Sequence, residues 1–394
     1  MSKAPILVVN TGSSSLKLGL FTTGKGAEQL ILNVLAEGIG AGDGKLTVRD
    51  ADGTLICSEK LHAATQPEAL RAALPWLLKA DGATPVAIGH RVVHGGPKLT
   101  THQLITPELL RELRDSVHFA PLHIPLALEL IHAAEQAYPG VPQFACFDTA
   151  FHRTLPEAAA RFALPRELYD EGIRRYGFHG LSYESIVHQL RSQPSCGLPR
   201  RVVAAHLGSG ASLAAILDGA SVDTSMGLTP TGGIPMATRS GDLDPGVLLY
   251  MMRSKHATAN SLETMLSREA GLKAISGGTA DMRTLEAATD DPKAQMAIAI
   301  FCRAIAKNIA AYAAVLGGLD LLIFSGGIGE HSQRVRSEVC AALEFLGLVL
   351  DQEQNKASRS LLSSAASRVQ VRCVPSEEDR QIAWHTRELF SHKG

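Results

Sequence analysis

Asn10 and Lys17 bracket a run of small residues, Thr11-Gly12-Ser13-Ser14-Ser15, and that combination suits an anion. Backbone N–H groups left bare by small side chains can face phosphate oxygens, and a lysine adds a mobile positive charge. A second such run, His206-Leu207-Gly208-Ser209-Gly210, lies inside VVAAHLGSGASLAAIL from Val202 to Leu217. Both runs are flanked by apolar, strand-like stretches. One loop of this kind also reads as a tight hairpin. Two of them, one in each half of the chain, point to a duplicated fold that handles a nucleotide. A third glycine-rich segment, Ser325 to His331, follows the apolar stretch Leu319–Phe324. Its Gly327-x-Gly329 spacing is part of a dinucleotide fingerprint, but Ser332 stands where the last glycine would fall. The pattern G-x-x-x-x-G-K-[ST] occurs nowhere in the chain, which argues against a P-loop.

Arg91 sits in Gly89-His90-Arg91-Val92-Val93-His94-Gly95-Gly96, and Arg239 in Met236-Ala237-Thr238-Arg239-Ser240-Gly241-Asp242. Guanidinium donates as a planar fork to carboxylate or phosphoryl oxygens, and phosphoryl transfer needs such charges around the equatorial oxygens. Either arginine alone reads as well as a structural ion pair; as a pair in glycine-flanked loops they read as functional. His90 and His94 have i,i+4 spacing without the glutamate of H-E-x-x-H, so that zinc chemistry does not apply. His179 lies in Gly177-Phe178-His179-Gly180, in a turn before a helix expected to be capped by Ser182. Asp148 ends a strand, either as an Asx-type turn cap or as a base or orienting carboxylate. Glu378 and Asp379 read equally as first-turn helix acids or as carboxylates for Mg²⁺.

These residues need a frame. Strands are expected at Ile6–Val9, Leu16–Phe21, Leu30–Ala36, Leu46–Arg49 and Thr54–Ser58, the last two joined by the Asp50–Gly53 turn. Helices are expected from Gln66 to about Lys79, from Thr106-Pro107 with threonine as N-cap, and from Ile124 to Tyr138. Gln143–Phe147 reads as a strand. The second half repeats the grammar, with strands at Val202–His206 and Ser212–Leu217 and helices at 246–254 and 293–316. Strand Leu319–Phe324 then leads through a glycine-rich turn into a helix from Ser332 to Leu346, and a last helix covers Ser376–Phe390. This order argues for two similar α/β domains with the ligand loops at strand ends facing a cleft.

The 394 residues suffice for two or three domains, and 20% charged residues with a formal net charge of −1 leave no basic surface for nucleic acid or polybasic run for a membrane. The six cysteines (57, 146, 196, 302, 340 and 373) form no C-x-x-C pair and read as buried free thiols. The N-terminus enters a strand directly and does not read as a signal peptide. The apolar stretch 309–324 is broken by Gly317, Gly318 and Asp320, which fits a buried helix followed by a strand better than a membrane span.

Taken together, the strings N-x-G-S-S-S-x-K at Asn10–Lys17, H-R-V-V-H-G-G at His90–Gly96 and P-L-H at Pro121–His123 resemble the acetate/propionate/butyrate kinase family of the actin–sugar kinase–Hsp70 superfamily. So do F-D-T-A-F-H at Phe147–His152, R-R-Y-G-F-H-G at Arg174–Gly180, T-R-S-G-D-L-D-P at Thr238–Pro245, D-M-R at Asp281–Arg283 and G-G-I-G-E at Gly326–Glu330. The resemblance covers essentially the whole chain. It implies a duplicated actin-like, ribonuclease H-like α/β fold with an interdomain cleft, one domain at about 1–149 plus 380–394 and the other at 150–379. It also implies Mg²⁺-dependent in-line transfer between ATP and acetate, giving ADP and acetyl phosphate, with Mn²⁺ as the alternative ion.

In that family the residue matching Arg91 holds the carboxylate and the one matching Arg239 stabilises the moving phosphoryl group. The match of His179 donates a hydrogen bond to that group, and the match of Asp148 is the acid/base or orienting carboxylate. Acetate is already ionised at neutral pH, so Asp148 is expected to position rather than deprotonate. Asn10 and Glu378 fall at the magnesium and Lys17 at an ATP contact. His206, Leu207, Gly208, Ser209 and Gly210 would approach the phosphates. Asp281, Met282, Arg283, Gly327, Ile328, Gly329, Glu330 and His331 would enclose the adenosine.

Val93, Leu122, Phe178 and Pro230 would form the acyl pocket, with Val93 favouring acetate over propionate. Ser209 and His331 replace asparagines usual in the family, and Ser376-Glu377-Glu378-Asp379 replaces T-N-E-E. The resemblance further implies a cytoplasmic homodimer. The rival readings are a propionate or butyrate kinase and, from another class, a nucleotide-switched binding protein of the actin or Hsp70 type.

Overall fold

The computed structural model describes residues 5–12, 14–22, 28–79, 84–192 and 197–392. Ser13 of the first loop and Cys196 lie outside the described residues. Among the described residues, Cys57, Cys302, Cys340 and Cys373 are free thiols. The chain divides into two compact units, residues 1–150 with 377–394 and residues 151–376.

The first unit is built on an eight-stranded sheet. Its strands are β1 (Ile6–Thr11), β2 (Ser15–Phe21), β3 (Leu30–Glu37), β4 (Gly44–Asp50), β5 (Leu55–Leu61), β6 (Ala87–Val92), β7 (Gln103–Leu104) and β8 (Gln143–Phe147), in the order β5-β4-β3-β2-β1-β6-β8-β7. β1 to β5 form an antiparallel meander, and β6 and β8 continue from β1 in parallel. Side chains alternate across a strand, and one face carries Leu7, Val9, Leu16, Leu18, Leu32 and Val34. These pack with Leu70, Ala73 and Leu77 of helix Gln66–Lys79 and with Leu130 and Ala134 of helix Ile124–Ala137. The C-terminal helix Glu378–Ser391 lies against β1, β6 and β8. Gly89 makes room for it, since a Cβ there would stand 2.2 Å from Thr386 Oγ1 and 2.8 Å from Ile382 Cγ2.

The second unit holds β9 (Arg201–Leu207), β10 (Ala211–Leu217), β11 (Ala220–Thr224), β12 (Leu321–Ser325) and β13 (Gln370–Cys373), in the order β11-β10-β9-β12-β13. β9 to β11 form an antiparallel meander, and β12 and β13 follow in parallel. This order repeats β3-β2-β1-β6-β8 of the first unit, so the duplication expected from the two loops is present in the strand order itself. Helix Gly180–Arg191 covers one face through Tyr183, Ile186, Val187 and Leu190. The 25-residue helix Pro292–Leu316 is apolar and long enough, by length and composition, to cross a membrane. It packs on β9 and β10, burying Ile298, Phe301, Ile305, Ile309 and Tyr312. Gly317, at φ 69, ends it before β12.

Three local expectations need correction. The glycine-rich segment after β12 is not a turn: helix Gly326–His331 starts at once. Gly326 makes the reversal alone, at φ 76, with the Leu207 carbonyl oxygen 2.8 Å from where a Cβ would be. The following helix is Gln333–Ala341, and a separate 3-10 turn, Glu344–Leu346, follows it. Ser182 is not an N-cap, because helix Gly180–Arg191 begins two residues earlier.

Candidate active site

In the first unit the site residues come from the ends of adjacent strands. Alternation along β6 sends His90 and Arg91 to opposite faces. His90 is buried, with Nε2 2.6 Å from Gln143 Oε1. Burial pushes it down to about 4 against the opposing hydrogen bond, so it is a neutral core histidine. His94 is equally buried; its Nδ1 accepts from the Gly96 N–H at 2.8 Å and its ring stacks on Phe119. Arg91 meets Asp148, which is 1% exposed just beyond β8. Its Nε and Nη2 donate to Asp148 Oδ2 at 3.0 and 2.5 Å, and its Nη1 donates to Asn10 Oδ1 and the Thr11 carbonyl at 3.3 and 3.2 Å.

The first turn of the C-terminal helix closes the network. Asn10 Nδ2 donates to Asp379 Oδ1 at 2.7 Å, and Lys17 Nζ pairs with Asp379 Oδ2 at 2.6 Å. Burial alone would lower the pKa of Arg91; Asp148, Glu378 and Asp379 outweigh it and raise it. Lys17 is raised in the same way by Asp379 and Glu378, against its own desolvation. Of the two carboxylates the sequence left equal, Asp379 makes the direct contacts to Asn10 and Lys17. Val93 is half-buried and Leu122 exposed.

In the second unit the centre is His179. It occupies the left-handed region at φ 59 and serves as the N-cap position of helix Gly180–Arg191. The segment before it is strung on His152. The ring Nε2 donates to the Phe178 carbonyl at 3.1 Å, and Nδ1 lies 2.8 Å from Ser221 Oγ. Burial pushes His152 down to about 4, which keeps it neutral. Gly177 is required there, because a Cβ would stand 2.6 Å from the His152 ring and φ is 74. His179 Nδ1 lies 2.9 Å from Ser212 Oγ, which is 2.6 Å from the Tyr183 hydroxyl. The His206 ring stacks on His179, and its Nδ1 lies 2.8 Å from Ser182 Oγ.

Arg239 comes from the loop after β11. Its Nη1 donates to the Pro230 carbonyl at 3.1 Å. The Ala237 N–H donates to the Ser209 carbonyl at 3.2 Å, tying this loop to the one between β9 and β10. The loop tip is Gly210. An ideal Cβ on it would stand 3.2 Å from His179 Nε2 and 3.4 Å from Arg239 Nη1. One imidazole edge and one guanidinium therefore converge on a residue with no side chain. Phe178, which precedes His179 in sequence, is buried, as are Pro230 and Leu207, while Ser209 is exposed.

The two remaining expected segments are joined by a hydrogen bond between Ser332 Oγ and Glu286 Oε1. Asp281 caps helix Met282–Ala287 and pairs with Arg283 at 2.7 Å, while Met282 is buried below. Gly326 N–H and Ser376 N–H both donate to Glu330 Oε1, at 2.9 and 3.2 Å. Gly327 and His331 are exposed, Ile328 half-buried and Gly329 buried.

Several supporting residues carried no signal in the sequence. Ser212 and Tyr183 lie in apolar-looking stretches. Arg336 is fully buried and donates to the carbonyls of Gly329, Glu330 and Asn355, to Asn355 Oδ1 and to Ser358 Oγ. Only its position in an amphipathic helix could have marked it, as a charge on the inward face.

A model of the Acetokinase family matches residues 5–384. The chain is 46% identical to an acetate kinase of Methylocella silvestris over 98% of both sequences. Among solved structures it is similar to the acetate kinase of Porphyromonas gingivalis, with a TM-score of 0.87 and 34% identity over 98% of this chain and 100% of that one. It is also similar to a propionate kinase of Francisella tularensis, with a TM-score of 0.91 and 35% identity over the same shares.

Proposed function

The chain belongs to the acetokinase family and transfers a phosphoryl group between ATP and the carboxylate of acetate, and from that premise we propose which of its residues carry each part of the reaction. The observation that carries the assignment is the convergence of His179 Nε2 and Arg239 Nη1 on Gly210. Arg239 and the His179 N–H take the equatorial oxygens of the moving phosphoryl group, where charge develops during in-line displacement. Arg91 takes the acetate carboxylate. Asp148 holds Arg91 by the guanidinium edge formed by Nε and Nη2. Acetate attacks as the anion it already is, so Asp148 has no proton to remove.

His206 to Gly210 border the phosphates, Lys17 adds a positive charge, and Asp281–Arg283 with Gly327–His331 enclose the adenosine. Val93, Leu122, Phe178 and Pro230 shape the acyl pocket in favour of acetate; one methylene in such a pocket is worth about 1–3 kcal/mol.

The family implies a divalent metal. The donors beside Arg91 are an amide oxygen and carboxylates, Asn10, Glu378 and Asp379, a hard oxygen set that fits Mg²⁺ held with nucleotide phosphates, or Mn²⁺ in its place. Asn10 and Glu378 would hold it, and when bound it neutralises charge on the phosphate oxygens. The working location is the cytoplasm and the working form a homodimer. The dimer is supported by helix Pro245–Lys255, which buries none of its own residues and exposes Val247, Leu249, Tyr250 and Met252.

Trapping the product with hydroxylamine tests the assignment. Acetohydroxamate should form with ATP, the metal and acetate, more slowly with propionate, and should be lost in R91A and R239A. ATP hydrolysis without an acyl phosphate, or butyrate used as well as acetate, would overturn it.

A further inference from the structure

Two hydroxyl chains run side by side beneath the His179–His206 stack. The rings lie with centroids 4.4 Å apart and planes 27° from parallel. Each directs Nδ1 at a serine, His179 at Ser212 (2.9 Å) and His206 at Ser182 (2.8 Å). Each serine meets a second hydroxyl. Tyr183 Oη is 2.6 Å from Ser212 Oγ, and Ser376 Oγ donates to Ser182 Oγ at 2.9 Å. Ser182, Tyr183 and Ser212 have no exposed surface, so bulk water does not compete for these bonds.

We propose that these hydroxyl relays hold both imidazoles as the Nε2–H tautomer, and that Ser212 and Tyr183 are positioning residues for the hydrogen bond His179 gives to the moving phosphoryl group. The argument is one of proton count. A hydroxyl carries one proton and accepts through its lone pairs. A phenol is more acidic than an aliphatic hydroxyl, so Tyr183 donates and Ser212 accepts. The Ser212 proton then points at His179 Nδ1, which must be the bare nitrogen, and the ring proton sits on Nε2. In the second chain Ser376 donates to Ser182, so the Ser182 proton points at His206 Nδ1 and leaves that ring protonated on Nε2 as well.

Both Nε2 edges border the loop between β9 and β10. A Cβ on Gly210 would stand 3.2 Å from His179 Nε2, and one on Gly208 would stand 4.0 Å from His206 Nε2. The stack also disfavours charging both rings, because like charges this close raise each other's cost. The site thus presents two neutral, pre-aimed N–H donors, which stabilise charge without giving up a proton. Pre-aiming matters because a donor that must reorient during transfer forfeits part of its effect.

This inference rests on the reading of His179 as a hydrogen-bond donor to the moving phosphoryl group, but its first test does not. Long-range ¹H–¹⁵N correlation spectra of the full chain labelled with ¹⁵N-histidine, assigned through H179Q and H206Q, read each tautomer directly. Both rings should show a protonated Nε2 and a bare Nδ1; Nδ1–H on His179 overturns the proposal whatever the activity. In the kinetic test, S212A should lower kcat roughly tenfold to hundredfold while KM for acetate and ATP stays within about twofold. S212T should recover most of the rate, and Y183F should show a smaller fall of the same kind. Wild-type kcat in a folded S212A also overturns it. If wild-type protein forms no acetyl phosphate, the reaction assignment fails while the tautomer result stands or falls separately.

Discussion

Replacing the Gly210 hydrogen by a methyl group puts the convergence of His179 and Arg239 to a direct test. The alanine Cβ would lie 3.2 Å from His179 Nε2, 3.4 Å from His179 Cε1 and 3.4 Å from Arg239 Nη1. Optimal non-bonded separation is about 3.5–4.0 Å, so the overlap is a few tenths of an ångström. The fold tolerates this. Gly210 is not in the left-handed region, so alanine suits its backbone and gains about 0.4–1 kcal/mol through the unfolded chain. Overpacking costs about 1–3 kcal/mol, and the net loss of stability should stay near 1–2 kcal/mol.

The effect on the reaction is larger. A phosphoryl oxygen bound by both donors would sit about 2.7–3.1 Å from each, and the methyl takes that place. Neither donor can withdraw freely, since His179 is held at Nδ1 by Ser212 and Arg239 at Nη1 by the Pro230 carbonyl. One lost donor of this kind costs about 10²–10³ in kcat, so G210A should fall at least about a hundredfold. Gly278 is the internal control. A Cβ there would meet nothing within 4 Å, and G278A should keep kcat within about threefold. Hydroxamate formation at saturating ATP and acetate, with thermal melting alongside, reads both variants. A folded G210A with more than about a tenth of wild-type kcat, or a G278A that loses as much as G210A, would refute the reasoning.

D148N keeps the shape of the Arg91 partner but removes its charge, weakening two charge-assisted bonds; kcat/KM for acetate should fall roughly tenfold to hundredfold. The shape of its rate profile from about pH 6 to 9 should match wild type, because acetate needs no base; loss of an ionisation limb in D148N would restore a base role. His90 and His152 should make the fold acid-sensitive. Burial lowers both in the folded state to about 4, so between about pH 6.5 and 4 the unfolded chain binds more protons and stability falls as pH falls. Each contributes on the order of 3 kcal/mol across that window, and H90N or H152N should flatten the denaturation midpoint against pH; an unchanged slope in both would contradict this. R336K, with three donors, leaves at least two of the five acceptors of Arg336 unpaired and should lower stability by about 3 kcal/mol or more, with KM for ATP rising as Gly329 and Glu330 lose their anchor. Urea denaturation and ATP titration check the pair, and an unchanged stability would show that the carbonyls find other donors.

The fold was legible wherever a local rule decides the structure. The apolar stretches Ile6–Val9 and Leu16–Phe21, the Asp50–Gly53 turn and the Thr106-Pro107 cap all correspond to observed elements. The order of the parallel strands was not legible, because β12 and β13 find their neighbours across long stretches of chain. The short strand β13 also has too few residues to show a period. The corner at Ser325–Gly326 shows why glycine patterns mislead. A multi-residue turn and a single left-handed residue that starts a helix have similar compositions. The Leu207 backbone packed behind Gly326 and the closure of Glu330 onto its N–H separate them, and both are tertiary. Ser182 misled in the same way. Serine before an apolar run is a fair cap signal, but His179 takes the corner itself and moves the helix start to Gly180.

For the site, the sequence reveals groups that could meet a ligand and hides the groups that hold them. Arg91, Asp148, His179 and Arg239 stand in short polar or glycine-flanked strings, because a side chain aimed at a small anion needs bare backbone around it. Ser212, Tyr183, His152 and Asp379 have no such surroundings. Their partners lie far away in sequence, and a buried hydroxyl or imidazole obeys only the rule that its hydrogen bonds be satisfied. That rule is three-dimensional and leaves no period or spacing to read. Glu378 and Asp379 show the limit most clearly. They are adjacent, identical in charge and equally suited to a helix N-terminus. Only the phase of the first helical turn turns Asp379 toward Asn10 and Lys17. Glu378 raises the pKa of Arg91 and of Lys17 electrostatically. Asp379, bound to both Asn10 and Lys17, is the carboxylate whose removal should shift Asn10. D379N should therefore weaken binding of every substrate that relies on Asn10 and Lys17, whereas E378Q should raise the Mg²⁺ concentration needed for half-maximal rate; an unchanged Mg²⁺ requirement would remove Glu378 from the metal site.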